Sequence, residues 1–253
     1  MRADIYYSLL VLAGLASGFV DSIAGGGGLI SLPAMLFTGM PMLHAQATNK
    51  LAATFGSCTS ATRYLAAGQV ESIAWPMAGL AFVAAIGGVI LGVSLHKEQL
   101  NLLVTLALIA VGCFVAFRKD FGKARRRRKS GPLPLIAAFL LALAIGFYDG
   151  LVGPGTGTFL AFVFISVLGL DFLKATGSTK IVNFATNIAA LLTYLLRGDP
   201  IHFAEGLVMG VAILAGAFIG SGMAVRIGPR FIRPLFVLVA MALAIKLVVD
   251  VLR

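Results

Sequence analysis

Charged side chains are scarce in this sequence. Asp, Glu, Lys and Arg together make up 12% of 253 residues, whereas hydrophobic residues make up 59% and the mean hydropathy is +0.99. Too little polar surface remains to cover a water-soluble globule. Because a helix needs about 20 apolar residues to cross a bilayer core, the chain has room for about eight to ten crossings and none for a separate soluble domain.

Cysteine and histidine are also rare. Cys58 and Cys113 lie in apolar stretches, so we expect two core thiols rather than a disulfide framework. The three histidines, His44, His96 and His202, are scattered along the chain. We therefore expect no metal site, no redox chemistry and no cofactor.

Basic residues account for a formal net charge of +10, but they are concentrated in one place. Residues 118–129, which include four consecutive arginines at 125–128, separate two long apolar blocks. Cytoplasmic loops of membrane proteins are enriched in Lys and Arg, so this pattern predicts a cytoplasmic linker rather than a nucleic-acid partner. The apolar segment before it at residues 5–23 is expected to be a retained first helix, not a signal peptide.

The apolar segments form two sets of five. They lie near residues 5–23, 28–38, 45–67, 72–95 and 99–117, then 133–151, 157–170, 173–196, 201–225 and 230–252. The second set repeats the first, because residues 18–21 match 146–149 at an offset of 128 and Lys50 matches Lys180 at an offset of 130. We predict a first membrane repeat at 1–117, a basic cytoplasmic linker at 118–132 and a second membrane repeat at 133–253.

The short segments 28–38 and 157–170 either cross the membrane as broken helices or re-enter from one side. Five crossings in each half would place Lys174, Arg226 and Arg230 on the same side as the linker, as the positive-inside rule favours. The predicted fold is therefore an all-α polytopic membrane protein with two inverted repeats of about five helical segments each, containing broken or re-entrant half-helices. Both termini should lie outside.

Four ionisable residues occur inside apolar segments: Asp21, Lys50, Asp149 and Lys180. A charge at mid-bilayer costs about 2.5–3.5 kcal/mol on insertion scales, so these side chains must face protein or water. Each lysine follows hydroxyl or amide residues that would offer hydrogen bonds to an anion. The two aspartates either couple transport by taking up protons or balance the lysine charges, and pairing that only holds helices together is the alternative.

Two glycine-rich breaks, at 25–28 and 153–157, occupy matching places in the repeats. A helix that begins at such a break presents free N–H groups and a positive dipole end to an anion. Close packing of helices through glycine and hydrogen bonding between helices remain alternatives. The residues expected to bind the solute are Gly25, Gly26, Gly27, Gly28, Thr48, Asn49, Lys50, Gly153, Gly155, Thr156, Gly157, Ser178, Thr179, Lys180, Asn183 and Asn187.

These doubled motifs, Gly18-Phe-Val-Asp21 with the glycine run and Lys50, then Gly146-Phe-Tyr-Asp149 with its own glycines and Lys180, resemble the sulfite exporter TauE/SafE family of membrane permeases. The resemblance covers nearly the whole chain. It implies transport of sulfur-containing anions, such as sulfite, sulfoacetate or related sulfonates, generally export across a bacterial inner membrane. The residues themselves indicate an anion but not sulfur.

The leading hypothesis is a carrier that binds its anion between the repeats and exposes it alternately to each side. A channel or an ion-coupled importer of another small anion is the alternative. An intramembrane aspartyl protease would need a Gly-x-Gly-Asp context that Asp149 lacks. A serine protease built on Ser221 would need a histidine on a nearby helix. We therefore expect a transporter and not an enzyme.

Overall fold

The computed structural model describes residues 3–117 and 131–227. Within these two ranges every regular element is an α-helix, and there are nine of them. They are α1 (Ala3–Ala24), α2 (Gly28–Phe37), α3 (Met42–Ala66), α4 (Ala74–Ser94), α5 (Lys97–Phe117), α6 (Pro132–Leu151), α7 (Thr156–Ser166), α8 (Phe172–Arg197) and α9 (Phe203–Ile227). The tenth predicted segment and nearly all of the basic linker lie outside the described residues.

Five of these helices, α1, α4, α6, α8 and α9, are long and apolar enough to cross a bilayer. Their outward faces carry large apolar side chains, such as Leu12, Val83 and Leu140, each more than 60% exposed. Such a surface is stable in lipid and not in water. The chain is thus an all-helical, multi-pass membrane protein. Helix α3 is equally long but buries a run of polar residues, including Thr48, Asn49 and Lys50.

Glycine and capping residues set several helix ends. The Asp171 side chain accepts hydrogen bonds from the Leu173 and Lys174 amides and begins α8, and Gly198 in the left-handed conformation ends it. Helix α7 stops at Ser166, earlier than the predicted segment, and Gly169 adopts φ 71° in the turn that follows. The breaks after α1 and α6 likewise contain glycines at positive φ.

The two short helices fold back against the helices that precede them. Gly27, at the start of α2, lies beside Ser17 of α1, and Thr38, just after α2, lies near the Tyr6 side chain at the start of α1. Helix α2 therefore returns toward the end at which α1 begins. In the second half, Phe159 of α7 packs edge-on against Tyr148 of α6 with ring centroids 5.6 Å apart, and Phe164, later in α7, shares a buried cluster with Ala142, earlier in α6. Helix α7 therefore turns back in the same way.

Helices from the two halves interlock through small residues. Along α1 and α9, Gly14 lies beside Ala212 and Gly220 lies beside Ser22, so the two helices run in the same direction. At Gly150, a Cβ would lie 2.0 Å from the carbonyl oxygen of Ala85, which brings α6 against α4 backbone to backbone. Such close approach is how membrane helices associate without a hydrophobic driving force.

Helices α3 and α8 cross the centre of the molecule in opposite directions. Lys50 of α3 contacts Asn187 of α8, whereas Tyr64, farther along α3, packs beside Gly177, earlier in α8. Both helices are unusually polar on their buried sides. The polar interior of the protein is therefore concentrated along this antiparallel pair.

The expectation that both cysteines are core thiols is wrong. Cys58 and Cys113 are unpaired and exposed on the outer surface. An apolar segment in a membrane protein has apolar residues on both its lipid-facing and its protein-facing sides, so its composition does not show where a cysteine points.

Candidate functional site

A central cavity lies where the two glycine breaks meet α3 and α8. The volume of this cavity is about 40 Å³, and one water molecule requires about 10–15 Å³ of such volume. The cavity therefore has room for a few waters or one small polyatomic ion. It is lined by Ser17, Asp21, Gly26, Gly27, Gly28, Ser31, Asn49, Lys50, Ala53, Asp149, Gly153, Gly155, Thr156, Gly157, Asn183, Asn187 and Ile213.

The two breaks are in direct backbone contact beside this cavity. A Cβ at Gly25 would lie 2.4 Å from the carbonyl carbon of Gly157, closer than any side chain permits. Gly25 also has φ 76°, and Gly155 in the other break has φ 89°. Glycine is required here both for conformation and for space. Close glycine packing and a cavity wall made of backbone thus occur at the same place.

Lys50 projects from α3 to the second half of the chain. Its Nζ lies 2.8 Å from Asp149 Oδ2 on α6 and donates a hydrogen bond to Asn187 Oδ1 on α8 at 3.2 Å. The Thr156 hydroxyl donates to the other carboxylate oxygen of Asp149 at 2.7 Å. All of these side chains are buried. The lysine charge is therefore neutralised but remains on the cavity wall.

Lys180 makes the corresponding contact in the opposite sense. Its Nζ lies 2.9 Å from Asp21 Oδ2 on α1 and also donates to the Asp21 carbonyl oxygen. The Lys180 side chain is fully buried, whereas the Asp21 side chain is 18% exposed. Asp21 lines the cavity and Lys180 does not. Lys180 therefore supports the cavity wall from behind.

We call Lys50–Asp149 and Lys180–Asp21 the two crossed ion pairs, since each joins the lysine of one half to the aspartate of the other. Ion pairing relieves much of the cost of placing four charges in a membrane protein. The alternative in which the aspartates pair with the lysines and hold helices together therefore matches the geometry.

Both half-helices begin at the cavity without a side-chain cap. Gly27 precedes α2 and Gly155 precedes α7, and neither position has a side-chain hydrogen bond to the first turn. The Gly27 amide donates to Asp21 Oδ1 at 3.2 Å. The first N–H groups of a helix have no partner within the helix and carry the positive end of its dipole. Two such ends point at one small volume.

Amide side chains provide further polar groups on the wall. Asn49 Oδ1 is buried and has no hydrogen-bond partner among the described residues. The Asn187 amide nitrogen donates to the Ser57 hydroxyl at 3.4 Å, and Asn183 lies one turn earlier on α8. Because amides both donate and accept, they suit an oxyanion that is partly protonated or hydrated.

The cavity brings together most of the predicted site residues. Those that line it are Asp21, Gly26, Gly27, Gly28, Asn49, Lys50, Asp149, Gly153, Gly155, Thr156, Gly157, Asn183 and Asn187.

Five predicted residues lie outside the lining, each for a visible reason. Gly25 packs on Gly157, Lys180 pairs with Asp21, and Thr179 is buried elsewhere. Thr48 accepts a hydrogen bond from the His202 amide, and Ser178 accepts one from the Glu71 amide. Whether the lining residues bind solute stays a prediction.

Four lining residues were not predicted. Ser17 lies one helical turn before Asp21, and Ser31 follows the first glycine run, so helical spacing would have identified both. Ala53 occupies the repeat position of Asn183, where the first half has no polar group. Ile213 comes from α9 and has no signal in the sequence, because it reaches the cavity through the packing of α9 on α1 and α3.

Two of the scattered histidines meet in the folded chain. His44 Nδ1 lies 3.0 Å from His202 Nε2, and Glu205 lies 4.0 Å from the other ring nitrogen of His202. The residues are far apart in sequence, so their spacing did not predict the contact. In the part of the chain that the structure describes, no three His, Cys, Asp or Glu residues are grouped as metal ligands.

Comparison with known proteins gives a consistent result. The model of the family described as Sulfite exporter TauE/SafE matches residues 10–247. A Sinorhizobium protein named probable membrane transporter protein ORF9 is 37% identical over 96% of this chain and 92% of its own. The Escherichia coli probable membrane transporter protein YfcA is 35% identical over 99% of this chain and 92% of its own. A Haemophilus influenzae probable membrane transporter protein is 32% identical over 96% of this chain and 94% of its own. No solved structure matches.

Proposed function

Because the chain belongs to the sulfite exporter TauE/SafE family of membrane transporters, we propose that it exports small sulfur-containing anions, such as sulfite or organosulfonates. Transport would cross a bacterial inner membrane by alternating access. The relatives named above are bacterial and carry only the description of probable membrane transporters. The family description is the basis for proposing a sulfur compound as the substrate, and the cavity is the basis for proposing that the substrate is an anion.

The observation that carries this proposal is the convergence of positive ends on the cavity. Lys50 and the uncapped starts of α2 and α7 reach the same small volume. A negatively charged oxyanion is the ligand that such donors favour. Paired broken helices at one place in two repeats are also the usual location of a transport site.

The packing supports two inverted repeats, residues 1–117 and 133–253. In the repeat alignment α1 corresponds to α6, α3 to α8, and α4 to α9. The contact between α1 and α9 then corresponds to the contact between α6 and α4. The Lys50–Asp149 pair likewise corresponds to the Lys180–Asp21 pair. Helix α3 and its counterpart α8 run in opposite directions. A twofold axis in the membrane plane produces that relation.

The folding back of α2 supports an inverted arrangement of the two halves. Because α1 and α2 form a hairpin, the chain leaves α2 on the side of the membrane where α1 begins. Three crossings, by α3, α4 and α5, then lead to the linker. An odd number of crossings places the two halves in opposite orientations, and this holds for three crossings as it would for five. Placing the linker in the cytoplasm then places Lys174 and Arg226 there as well, in agreement with the positive-inside rule.

The proposal is tested by counterflow in proteoliposomes that contain the purified protein and labelled sulfite, sulfoacetate or taurine, with acetate and phosphate for comparison. Lys50→Met should weaken binding and transport of the preferred anion by about 10–100-fold, because a hydrogen bond to a charged group contributes about 1.5–3 kcal/mol. Lys174→Met is the matched control. Lys174 also forms an ion pair, with Glu71 at 2.6 Å, but lies outside the cavity lining.

Saturable counterflow of sulfur oxyanions that Lys50→Met loses and Lys174→Met keeps supports the proposal. Flux that does not saturate and shows no counterflow would indicate a channel. Equal transport by both variants would exclude the cavity as the site, and acetate or phosphate preferred over every sulfur anion would contradict the substrate class.

A further inference from the structure

The two crossed ion pairs beside the central cavity contain as much negative as positive charge. The two lysines of the crossed ion pairs are balanced by the two aspartates. Among the described residues that line the cavity, Asp21, Lys50 and Asp149 are the ionisable ones. A bound anion would therefore leave this buried region with excess negative charge beside two carboxylates. Proteins relieve such charge when a carboxylate takes up a proton.

The two carboxylates are not equivalent toward an anion at Lys50. Asp21 keeps its partner Lys180, which does not line the cavity. Asp149 depends on Lys50, because its Oδ1 accepts from Thr156 whereas, among the described residues, its Oδ2 has only the Lys50 ammonium at 2.8 Å. The Asp149 side chain is 3% exposed. An anion that binds Lys50 therefore leaves Asp149, and not Asp21, without its compensating positive charge.

We propose that anion binding is linked to protonation of Asp149. The anion takes the place of the Asp149 carboxylate at Lys50 Nζ, and Asp149 Oδ2 accepts a proton from the bulk solution, relayed by the water that enters with the anion. This inference rests on the proposed function and adds a co-transported proton to it. For a monovalent anion the transported unit is then electrically neutral, and the ion pair re-forms when both leave.

The surroundings of Asp149 support a proton at this position. The groups that face it are Lys50 from α3, Thr156 from α7, Asn187 and Tyr194 from α8, and Asp21 from α1 across the cavity. Helix α4 packs the Ala85 and Val89 backbone against the adjacent Gly150. Lys50 is the positive charge among these groups, so its engagement by an anion removes the compensation of Asp149.

The test is calorimetric titration of the purified protein with methanesulfonate, an anion that does not titrate near neutral pH. Titrations in two buffers of different ionisation enthalpy count the protons taken up. About one proton per anion is expected, with affinity falling about tenfold for each unit rise in pH. Asp149→Asn should bind methanesulfonate with almost no proton uptake and little pH dependence. Glu71→Gln, which removes the carboxylate of another ion pair, should behave as the unaltered protein.

Anion binding without proton uptake overturns the inference and leaves the proposed function intact, whereas absence of binding by any sulfur anion overturns both. Equal proton uptake in Asp149→Asn also overturns it, because another group would then be the acceptor. Should Asp149→Asn not fold, infrared difference spectra of the unaltered protein decide. Methanesulfonate must then produce the band of a protonated carboxyl group, and its absence overturns the inference.

Discussion

Breaking the Lys180–Asp21 pair should destabilise the protein far more than breaking an interfacial pair. Lys180→Met keeps side-chain volume and removes the charge, leaving Asp21 without its cation. Removal of one partner of a buried ion pair costs about 3–5 kcal/mol. Lys180 is fully buried, whereas Lys174, which pairs with Glu71, has a side chain that is 42% exposed. Exposed pairs contribute about 0–1 kcal/mol, so Lys174→Met is the matched control.

The assay is thermal unfolding in detergent at pH 8. A change of 1 kcal/mol shifts the midpoint by about 2–4 °C for a chain of this size, so Lys180→Met should lower it by roughly 6–20 °C and Lys174→Met by at most about 4 °C. The double variant Lys180→Met with Asp21→Asn should recover more than half of the loss, because no stranded charge remains.

Equal stability of Lys180→Met and Lys174→Met would refute this reasoning. It would mean that Asp21 finds other compensation, for example from the Gly27 amide and from water in the cavity. Failure of the double variant to recover stability would indicate that Lys180 acts by packing rather than by charge. Either result would remove the basis for treating this crossed pair as a support for the cavity wall.

Two further predictions concern the backbone and the orientation. Gly25→Ala should destabilise the protein by about 2–5 kcal/mol more than Gly79→Ala, because Gly25 has a left-handed conformation and a Cβ there would lie 2.4 Å from the Gly157 backbone. Gly39→Ala, at φ 88° but with open space around it, should show only the conformational cost of about 1–2 kcal/mol. Thermal unfolding compares the three variants, and similar losses for Gly25→Ala and Gly39→Ala would contradict the packing. In a cysteine-free background, His96→Cys should react with an impermeant maleimide in intact cells and Ser72→Cys only after lysis, and the reverse pattern would invert the topology.

Helix positions were predictable because the chain marks its own breaks. Glycines at 25–27, 153 and 155, prolines and short polar loops interrupt otherwise continuous apolar runs, so the predicted segments match nine helices closely. The charged residues of the cavity were predictable for a related reason. A lysine or aspartate inside an apolar run is costly, and this cost alone indicates that the side chain belongs to a buried polar site.

The pairing of those charges was not predictable. The repeat shows that each half has one aspartate and one lysine, but it does not show whether the partners lie within a half or across the two. The structure joins Lys50 to Asp149 and Lys180 to Asp21. The contact of His44 with His202 and the place of Ile213 are of the same kind. All three depend on tertiary packing, which local spacing does not encode.

Crossed pairing has a consequence for how the two halves depend on each other. If each lysine were paired within its own half, a single half would be electrically complete in the membrane. Here the first half alone would bury Lys50 without Asp149, and it would expose Gly25 where the backbone of Gly157 now lies. Neither the charges nor the glycine break can be satisfied until the other half is present. The cavity therefore exists only at the junction of the halves. The rocking motion that the proposed mechanism requires would therefore act directly on both crossed ion pairs.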